Sequence, residues 1–226
     1  EVRDNPCTVT VEAIPQAGFI KLKTDPDPDG AGSQAGRKSE VVYNVNGQVA
    51  ATRYNSESWT CFEYDARGRA TKITVPSAGG KAGRTVTNNY AVNNNPLIVS
   101  STDNVGTITS ESDLLGRGIK YTDVKGKVTT STFDNFGKLI SRNSILGLEE
   151  YGYDTFDRPI TYKLDGVLYS TTVYDVYSRV VNITYPSGVK LSSIGRDVLQ
   201  RENATTFTVA GGVTLSDSVN YSQSGM

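Results

Sequence analysis

Apolar and polar residues alternate along many short segments of this chain, which is the period of a β-strand with one buried and one solvated face. In one such segment Ile160, Tyr162 and Leu164 alternate with Thr161 and Lys163. Val, Ile, Thr and Tyr dominate these segments, and all four favour strands. No segment shows the 3.6-residue period of an amphipathic helix. The pattern therefore predicts an all-β protein.

A six-residue motif, Tyr-Asp-x-x-Gly-Arg, recurs along the chain at nearly constant spacing. The clearest copies begin at Tyr64 (YDARGR), Ser112 (SDLLGR), Phe133 (FDNFGK), Tyr153 (YDTFDR) and Tyr174 (YDVYSR), and weaker copies begin at Tyr43, Tyr90 and Arg196. Successive copies lie 20 to 22 residues apart, except for one interval of 26 that contains a Gly-rich insertion at 75–87. Such regularity indicates a repeat protein, in which the motif recurs for architecture.

A second turn signal, ending in glycine, lies about midway between copies from Gly106 to Gly188. Two turns per repeat predict two short antiparallel strands, which form one β-hairpin. The predicted organisation has three segments. Residues 1–40 hold N-terminal strands and an acidic Pro/Gly loop, residues 41–204 hold about eight repeats of ~21 residues, and residues 205–226 hold a further strand region. We expect this last region to continue beyond the chain.

Each position of the motif has a predicted role at a hairpin corner. The Tyr packs on its neighbour in the next repeat, the Asp accepts hydrogen bonds from local amides, and the Gly adopts a positive φ. The Arg pairs with an Asp carboxylate, either its own or a neighbour's. The predicted structural turn residues are Tyr64, Asp65, Gly68, Arg69, Asp113, Gly116, Arg117, Phe133, Asp134, Gly137, Lys138, Tyr153, Asp154, Arg158, Tyr174, Asp175, Arg179, Asp197 and Arg201. No copy contains a distinctive catalytic residue, so no catalytic site is predicted.

Composition narrows the classes of function further. The 23 Lys and Arg against 24 Asp and Glu give a net charge of −1, which offers no basic field for nucleic acid. The chain has no histidine, which excludes Ser-His-Asp and Cys-His catalysis and removes the commonest metal ligand. No apolar run approaches the roughly 18 residues of a membrane helix, so membrane insertion is not expected. No cofactor is predicted.

Several local features leave alternatives open. Cys7 and Cys61 either pair in a disulfide or remain two separate buried thiols. Sequons at Asn182, Asn203 and Asn220 are weak signals of glycosylation. Because the chain lacks a starting Met and a closing device, we expect a piece of a longer, or a processed, polypeptide.

Two motifs resemble ligand sites without completing them. Asp25, Asp27 and Asp29 alternate like the opening of a calcium loop, but Gly36 stands where the closing bidentate Glu should be, so they remain a weak metal candidate. The sequence GGKAGR from Gly79 lacks the Ser or Thr and the helix of a phosphate-binding loop. Acidic and Gly-rich surface loops are the predicted alternatives.

The motif, its period and the mid-repeat turn together resemble the RHS/YD-repeat proteins of bacteria, whose distant animal cousins are the teneurins. The resemblance covers about residues 40–204, including the phrases WTCFEYDARGR and YDVYSRVVNITYPSGV. It implies antiparallel β-hairpin repeats that form a curved or spiralling sheet, part of an RHS-type β-shell. In the family such shells enclose a C-terminal effector or belong to adhesion receptors. The Asp-Pro-x-Gly self-cleavage pair of RHS toxins is not complete here, since Asp27 to Gly30 has no second copy downstream.

Three functional hypotheses follow. The first is a non-enzymatic structural segment of a secreted or cell-surface protein that encloses a cargo or toxin, or presents an interaction surface. Its partners would be neighbouring repeats of a longer chain or a C-terminal effector. The second is an extracellular adhesion or carbohydrate-binding module, with glycans or cell-surface proteins as partners. The third is a carboxylate-based glycosidase fragment.

Overall fold

The computed structural model describes residues 2–8 and 14–222, and in this part of the chain the fold is all-β, with twenty strands and no helix. The described residues therefore contain no helix that could span a membrane. The prediction of an all-β protein with antiparallel hairpins is confirmed.

The chain forms two compact units. The first comprises Glu1–Arg117 and Tyr121–Gly126, and the second comprises Gly118–Lys120 and Lys127–Met226. The strands of the first unit are β1 (Val2–Arg3), β2 (Ile14–Pro15), β3 (Leu22–Thr24), β4 (Lys38–Tyr43), β5 (Val49–Tyr54), β6 (Thr60–Tyr64), β7 (Ala70–Val75), β8 (Arg84–Asn89), β9 (Ile98–Thr102) and β10 (Thr107–Ser112). Strand β11 (Gly118–Thr122) contributes residues to both units. The strands of the second unit are β12 (Val128–Phe133), β13 (Leu139–Ser144), β14 (Gly147–Tyr153), β15 (Pro159–Leu164), β16 (Val167–Tyr174), β17 (Val180–Thr184), β18 (Lys190–Arg196), β19 (Glu202–Thr208) and β20 (Thr214–Ser218).

Each unit is a run of hairpins in which every strand pairs antiparallel with its neighbour in sequence. In the first unit this run extends from β3 to β10, while β1 and β2 pair separately. In the second unit it extends from β12 to β20. Sequential pairing follows from the short turns, because a short loop can only join antiparallel neighbours.

A one-residue bulge follows most of the Tyr-Asp motifs. Tyr64 pairs with Ala70 while Glu63 pairs with Lys72, so Thr71 has no partner across the ladder. The same shift occurs beside Tyr43, Phe133, Tyr153, Tyr174 and Arg196. Bulges bend a strand and increase its twist, so the motif introduces the same local bend at each of these corners.

The hydrophobic core is small. Among the described residues the buried hydrophobic side chains are Ile14, Val42, Ala50, Ala51 and Leu191. The chain exposes 15269 Å², whereas two compact units of half its mass would together expose about 12,000 Å². Most strand residues lie at an intermediate level of burial, so both faces of the hairpins remain accessible.

The Gly-rich insertion is shorter than predicted. Val75 ends β7 and Arg84 begins β8, so residues 84–87 of the predicted 75–87 insertion belong to a strand. Thr85, Val86 and Thr87 are β-branched and pair with β7, which explains why this part is ordered as strand. The three predicted segments 1–40, 41–204 and 205–226, and the closure of the hairpins into a shell, stay predictions.

Candidate functional site: the Tyr-Asp turns

The repeated motif forms a five-residue corner, which we call a Tyr-Asp turn. In the copy at Asp65, the Asp65 amide donates to the Arg69 carbonyl at 3.0 Å and the Gly68 amide donates to the Asp65 carbonyl at 2.9 Å. Gly68 has a φ of 79°, as the left-handed position of a three-residue hairpin loop requires. The same two backbone bonds occur in the turns that begin at Asn44, Asp113, Asp134, Asp154, Asp175 and Asp197.

The Asp carboxylate holds the turn together from inside. Asp65 Oδ1 accepts the amides of Arg67 at 2.9 Å and Arg69 at 3.0 Å, and Oδ2 accepts Arg69 Nε at 2.8 Å. The sequence left open whether the Arg pairs with its own Asp, and the structure shows that it does. Equivalent bonds occur at Asp113, Asp154, Asp175 and Asp197, and Lys138 Nζ lies 3.5 Å from Asp134 Oδ2.

These bonds favour the ionised carboxylate. The Arg69 amide and guanidinium hold the pKa of Asp65 below its usual range, and those of Arg179 do the same for Asp175. In the other Asp turns burial pushes the pKa of the carboxyl up, but the hydrogen bonds outweigh it and the net pKa is lowered. These turns begin at Asp113, Asp134, Asp154 and Asp197. An Asp that is already saturated by amides and an Arg is poorly placed to act as a base, so the geometry suits architecture better than acid–base chemistry.

The turn at Asn44 shows a neutral version of the same design. Asn44 Oδ1 accepts the amides of Asn46 at 2.9 Å and Gln48 at 3.0 Å. Asn44 Nδ2 donates to Gln48 Oε1 at 3.0 Å, which replaces the Asp–Arg ion pair. The amide bonds, rather than the charges, are therefore the common element of these corners.

The motif Tyr links each turn to the preceding one, not to the next. Tyr174 Oη donates to the Pro159 carbonyl at 2.9 Å, and its ring lies 4.7 Å from the Arg158 guanidinium. The direction of the predicted Tyr packing was therefore wrong, because the ring reaches back across the hairpin to the bulge that follows the preceding turn. Tyr64, Tyr90, Tyr153 and Tyr221 donate in the same way to the carbonyls of Val49, Ala70, Leu139 and Glu202.

The motif cation faces an aromatic ring of its own turn as well. Arg158 lies 5.1 Å from the centre of the Phe156 ring, in addition to its contact with Tyr174. Lys138 is similarly placed between Phe136 and Tyr153, at 5.3 and 5.5 Å. Cation–π contacts of this kind contribute about 0.5–1 kcal/mol each at exposed sites.

The copies that lack the motif glycine use that position for another link. Asp157, Ser178 and Gln200 all have a positive φ, between 62° and 64°. Each side chain contacts the cation of the preceding turn: Lys138 pairs with Asp157, Arg158 Nη1 lies 3.4 Å from Ser178 Oγ, and Arg179 donates to Gln200 Oε1. Replacing glycine therefore costs some backbone conformational energy at a positive φ, but it adds a side-chain contact between successive repeats. Sequence reasoning missed this role because it recorded these residues only as positions where the motif glycine is absent.

The copy at Tyr90 departs more strongly from the motif. Ala91 has no side-chain acceptor, and the chain there makes a longer loop in which Asn93 and Asn94 have a positive φ. Tyr90 nevertheless keeps both links to the preceding turn, with its hydroxyl 3.0 Å from the Ala70 carbonyl and its ring 4.2 Å from the Arg69 guanidinium. The Tyr contact thus persists where the Asp contact is lost.

A second polar cluster lies on strands β13, β14 and β15. Arg142 donates to both oxygens of Glu149, at 2.5 and 3.0 Å, and the hydroxyls of Tyr151 and Tyr162 each donate to Glu149 Oε1 at 3.2 Å. The Arg142 guanidinium, followed by the tyrosine hydroxyls, holds the pKa of Glu149 below its usual range. Burial, followed by the Glu149 charge, raises the pKa of Tyr151. The carboxylate is buried but fully bonded, which is the condition for such a group to be tolerated.

Sequence reasoning missed this cluster, although a signal existed. The turn between Ser144 and Gly147 places Arg142 directly opposite Glu149. Counting outwards from the predicted turn at Gly147 would have found opposite charges facing each other on one face of the hairpin.

The weak metal candidate does not form a cation site in this structure. Lys23 Nζ pairs with Asp25 Oδ1 at 2.8 Å, Asp27 Oδ1 accepts the Asp29 amide, and Asp29 Oδ2 accepts the Gln34 amide. No group of three or more His, Cys, Asp or Glu side chains is close enough to hold a metal ion in residues 2–8 and 14–222.

The two cysteines are joined. Cys7 and Cys61 form a disulfide that connects the N-terminal segment to β6. Of the two alternatives that the sequence left open, the structure contains the paired one.

Comparison with known proteins finds distant structural likeness only. No protein-family model matches the chain, and no curated protein matches it. Among solved structures, the chain is similar to a chain of the TcdB2-TccC3-Cdc42 crystal structure at 14% identity and a TM-score of 0.47, over 92% of this chain and 14% of that chain. It is similar to TcdB2-TccC3 without the hypervariable C-terminal region at 13% identity and a TM-score of 0.47, with the same coverage. A chain of the Photorhabdus luminescens Tc holotoxin pore matches at 13% identity and a TM-score of 0.41, over 91% of this chain and 14% of that chain.

Proposed function

We propose that this chain is a non-enzymatic structural segment of a secreted or cell-surface protein of the RHS/YD-repeat type. Its hairpins would form part of a wall that encloses another part of a longer polypeptide or presents a surface to a partner. The observation that carries the proposal is the chemistry of the Tyr-Asp turns, whose charged groups bind one another and the adjacent turn.

The mutual saturation of these groups supports a structural role. Arg158, for example, contacts its own Asp154, the Asp175 carbonyl of the next turn at 3.1 Å, and the Tyr174 ring. In a repeat protein the stability of each unit comes largely from such contacts with its nearest neighbours. The need to stabilise each repeat through its neighbours is enough to explain why the motif recurs with the same internal contacts.

The large accessible area supports a role within a larger assembly. Within residues 2–8 and 14–222 only a few hydrophobic side chains are buried, so both hairpin faces and the turn tips are available for contact. The tips of four successive turns in the second unit carry large apolar residues that are at least 69% exposed: Phe136, Phe156, Val176, Tyr177, Val198 and Leu199. These side chains are accessible to a partner, as a role within a larger assembly requires.

The disulfide supports the proposed location. Disulfides persist in extracellular and periplasmic compartments and are rare where thiols are kept reduced. The Cys7–Cys61 bond therefore suits a secreted or surface-exposed chain.

The enclosure is testable in the natural polypeptide that contains these residues. Replacing Asp154, Asp175 and Asp197 by Ala removes the acceptor of three successive turns, and we expect the segment that follows the hairpins to become sensitive to protease. A control with Glu57→Gln, Glu150→Gln and Asp217→Asn changes three carboxylates outside the turns and should retain protection. Equal protease sensitivity of the following segment in the wild type and both variants would refute enclosure.

The non-enzymatic part of the proposal has its own test. The purified chain should release no product from a panel of oligosaccharides under conditions in which it is folded. Hydrolysis that is lost on a single Asp→Asn substitution would overturn this part and favour the carboxylate hypothesis. The adhesion and glycan-binding alternative stays a hypothesis.

A further inference from the structure

The first Tyr-Asp turn is contacted by a segment that carries no such motif. The side chain of Gln16 donates from Nε2 to the Tyr43 carbonyl at 3.0 Å, and its Oε1 accepts the Tyr43 amide at 2.9 Å. Gln16 is only 5% exposed. Its amide group thus satisfies the backbone of Tyr43 in the way a neighbouring strand would.

The residues after Gln16 occupy the place of a preceding turn. The Phe19 ring stacks on the Tyr43 ring with centres 4.5 Å apart, and the Tyr43 hydroxyl donates to the Ile20 carbonyl at 3.3 Å. In the copies at Tyr90, Tyr153 and Tyr174 the Tyr ring faces the cation of the preceding turn, and the hydroxyl bonds the carbonyl of the residue after that cation. Phe19 therefore replaces the cation, and Ile20 replaces the residue that follows it.

The backbone reaches this position by a different turn. The Phe19 amide donates to the Gln16 carbonyl at 3.2 Å, and Gly18 has a φ of 85°. The turn is one residue shorter than a Tyr-Asp turn, which explains why the motif is missing from the sequence here while the contact with Tyr43 is kept.

The same segment is fastened to the sheet by covalent and polar contacts. Strand β1 pairs with β2, and Arg3 Nη1 donates to the Val41 carbonyl at 3.5 Å. Arg3 Nη2 also lies 3.7 Å from Glu40 Oε1. Cys7 is bonded to Cys61 on β6, so the segment is anchored one hairpin beyond the strand that it covers.

We propose that the described residues 2–8 and 14–20, which we call the strap, form a redox-controlled cover over the Tyr43 end of β4. A dithiol reductant opens it by two thiol–disulfide exchanges. One thiolate of the reductant attacks a sulfur of the Cys7–Cys61 bond, which releases one cysteine and forms a mixed disulfide with the other. The second thiolate of the reductant then attacks the reductant's own sulfur in that mixed disulfide and releases the second cysteine. Cys7 and Cys61 each gain one electron and one proton, and the dithiol becomes a disulfide. The strap then leaves Tyr43, and the Tyr43 ring and backbone become free to contact another segment.

The physical basis is the balance between a few contacts and chain entropy. Without the disulfide, the strap is held by a two-residue ladder, the Gln16 bonds, the Arg3 contacts with β4, the burial of Ile14 and one ring stack. These contacts act against the freedom of an N-terminal segment. The β4–β5 and β6–β7 hairpins are held by backbone ladders, and the disulfide is not part of either ladder. Breaking the disulfide therefore shifts this balance toward an open strap, which goes beyond the proposed structural role and does not depend on it.

Hydrogen–deuterium exchange of the whole chain tests the proposal. The oxidised chain is compared with the chain reduced by dithiothreitol and alkylated, and with Cys7→Ser/Cys61→Ser. We expect exchange at residues 14–20 and at the Tyr43 amide to rise on the order of tenfold or more after reduction. Exchange within β14 and β15 should not change. Equal exchange at the strap in both states, or an equal rise in β14 and β15, would overturn the proposal.

A second variant keeps the test independent of the cysteines. Gln16→Ala removes the acceptor of the Tyr43 amide while the disulfide stays intact, so that amide should exchange faster even in the oxidised chain. Gln34→Ala, in the loop before β4, is the matched control and should leave the Tyr43 amide unchanged. A Tyr43 amide that is unaffected by Gln16→Ala would show that the strap contact is absent in solution.

Discussion

At the scale of residues, the Tyr-Asp turn divides its work among three side chains. The Asp closes the loop through backbone amides, the cation pairs with that Asp and reaches the next turn, and the Tyr reaches back to the preceding one. The interactions are weak singly, since exposed ion pairs contribute about 0–1 kcal/mol. Because they recur at each corner, their summed contribution to the stability of the protein is larger.

The Tyr hydroxyl bond predicts a measurable loss on Tyr174→Phe. The change removes the bond to the Pro159 carbonyl and keeps the ring on Arg158, so unfolding free energy should fall by about 1 kcal/mol. Tyr177→Phe is the control, because Tyr177 lies at a turn tip with 75% of its surface exposed. Equal stability of the two variants in urea titration would contradict the assigned bond.

The lowered pKa of the turn carboxyls predicts how stability depends on pH. Since the pKa of Asp65 and Asp175 is lower in the folded state than the unfolded value of about 3.9, their stabilising contribution is complete above that value and is lost as the pH falls through the lower folded pKa. The melting temperature should therefore be constant from about pH 7 to pH 5 and fall below about pH 4.

A variant isolates this contribution. Asp175→Asn keeps an oxygen for the amides, as Asn44 does, but cannot titrate. Its melting temperature should fall less steeply with acid than that of the wild type. Identical acid profiles would show that Asp175 does not contribute.

At the scale of elements, the hairpin is specified by both of its ends. The Tyr-Asp turn fixes one end through backbone conformation and a following bulge, and the mid-repeat turn fixes the register that brings cross-strand pairs together. Arg142 and Glu149 illustrate the second effect, since they meet only because the turn after Ser144 has one particular length.

Backbone conformation at the turn predicts an asymmetric effect of Gly→Ala. Gly116 has a φ of 79°, whereas its near neighbour Gly118 does not have a positive φ, and an added Cβ meets open space at both positions. Gly116→Ala should lower the unfolding free energy by about 1 kcal/mol because L residues rarely adopt this conformation. Gly118→Ala should have little effect, and an equal loss in both variants would contradict the turn assignment.

The Glu149 cluster predicts a face-specific effect within one strand. Glu149→Gln removes the charge that pairs with Arg142, and we expect a loss of about 1–3 kcal/mol in denaturant titration. Glu150→Gln changes the adjacent residue, whose side chain points to the other face, and should cost about 0.5 kcal/mol or less. A larger effect at Glu150 would reverse the assignment of faces.

At the scale of the whole molecule, the features that depend on residues close in sequence could be predicted, and the contacts between hairpins could not. The period, the hairpins and the turn roles of Asp65 and Gly68 could be predicted because each depends on residues that are close in sequence. The backward reach of Tyr174, the contacts of Asp157 and Ser178 with the preceding cation, and the replacement of a motif by Phe19 could not. Each of these depends on how one hairpin lies against another, which the motif itself does not encode.

The central claim is that Tyr-Asp turns stabilise the protein by linking successive hairpins, and a double-mutant cycle between Arg158 and Tyr174 tests it most directly. Stability is measured in denaturant for Arg158→Met, Tyr174→Leu and the double variant. Arg201→Met and Tyr174→Leu form the control pair, because Arg201 bonds Asp197 and faces the ring of Tyr221 rather than that of Tyr174. The account predicts a coupling of about 0.5–1 kcal/mol for Arg158 and Tyr174 and additive effects for the control pair. Additive effects in both cycles would contradict it.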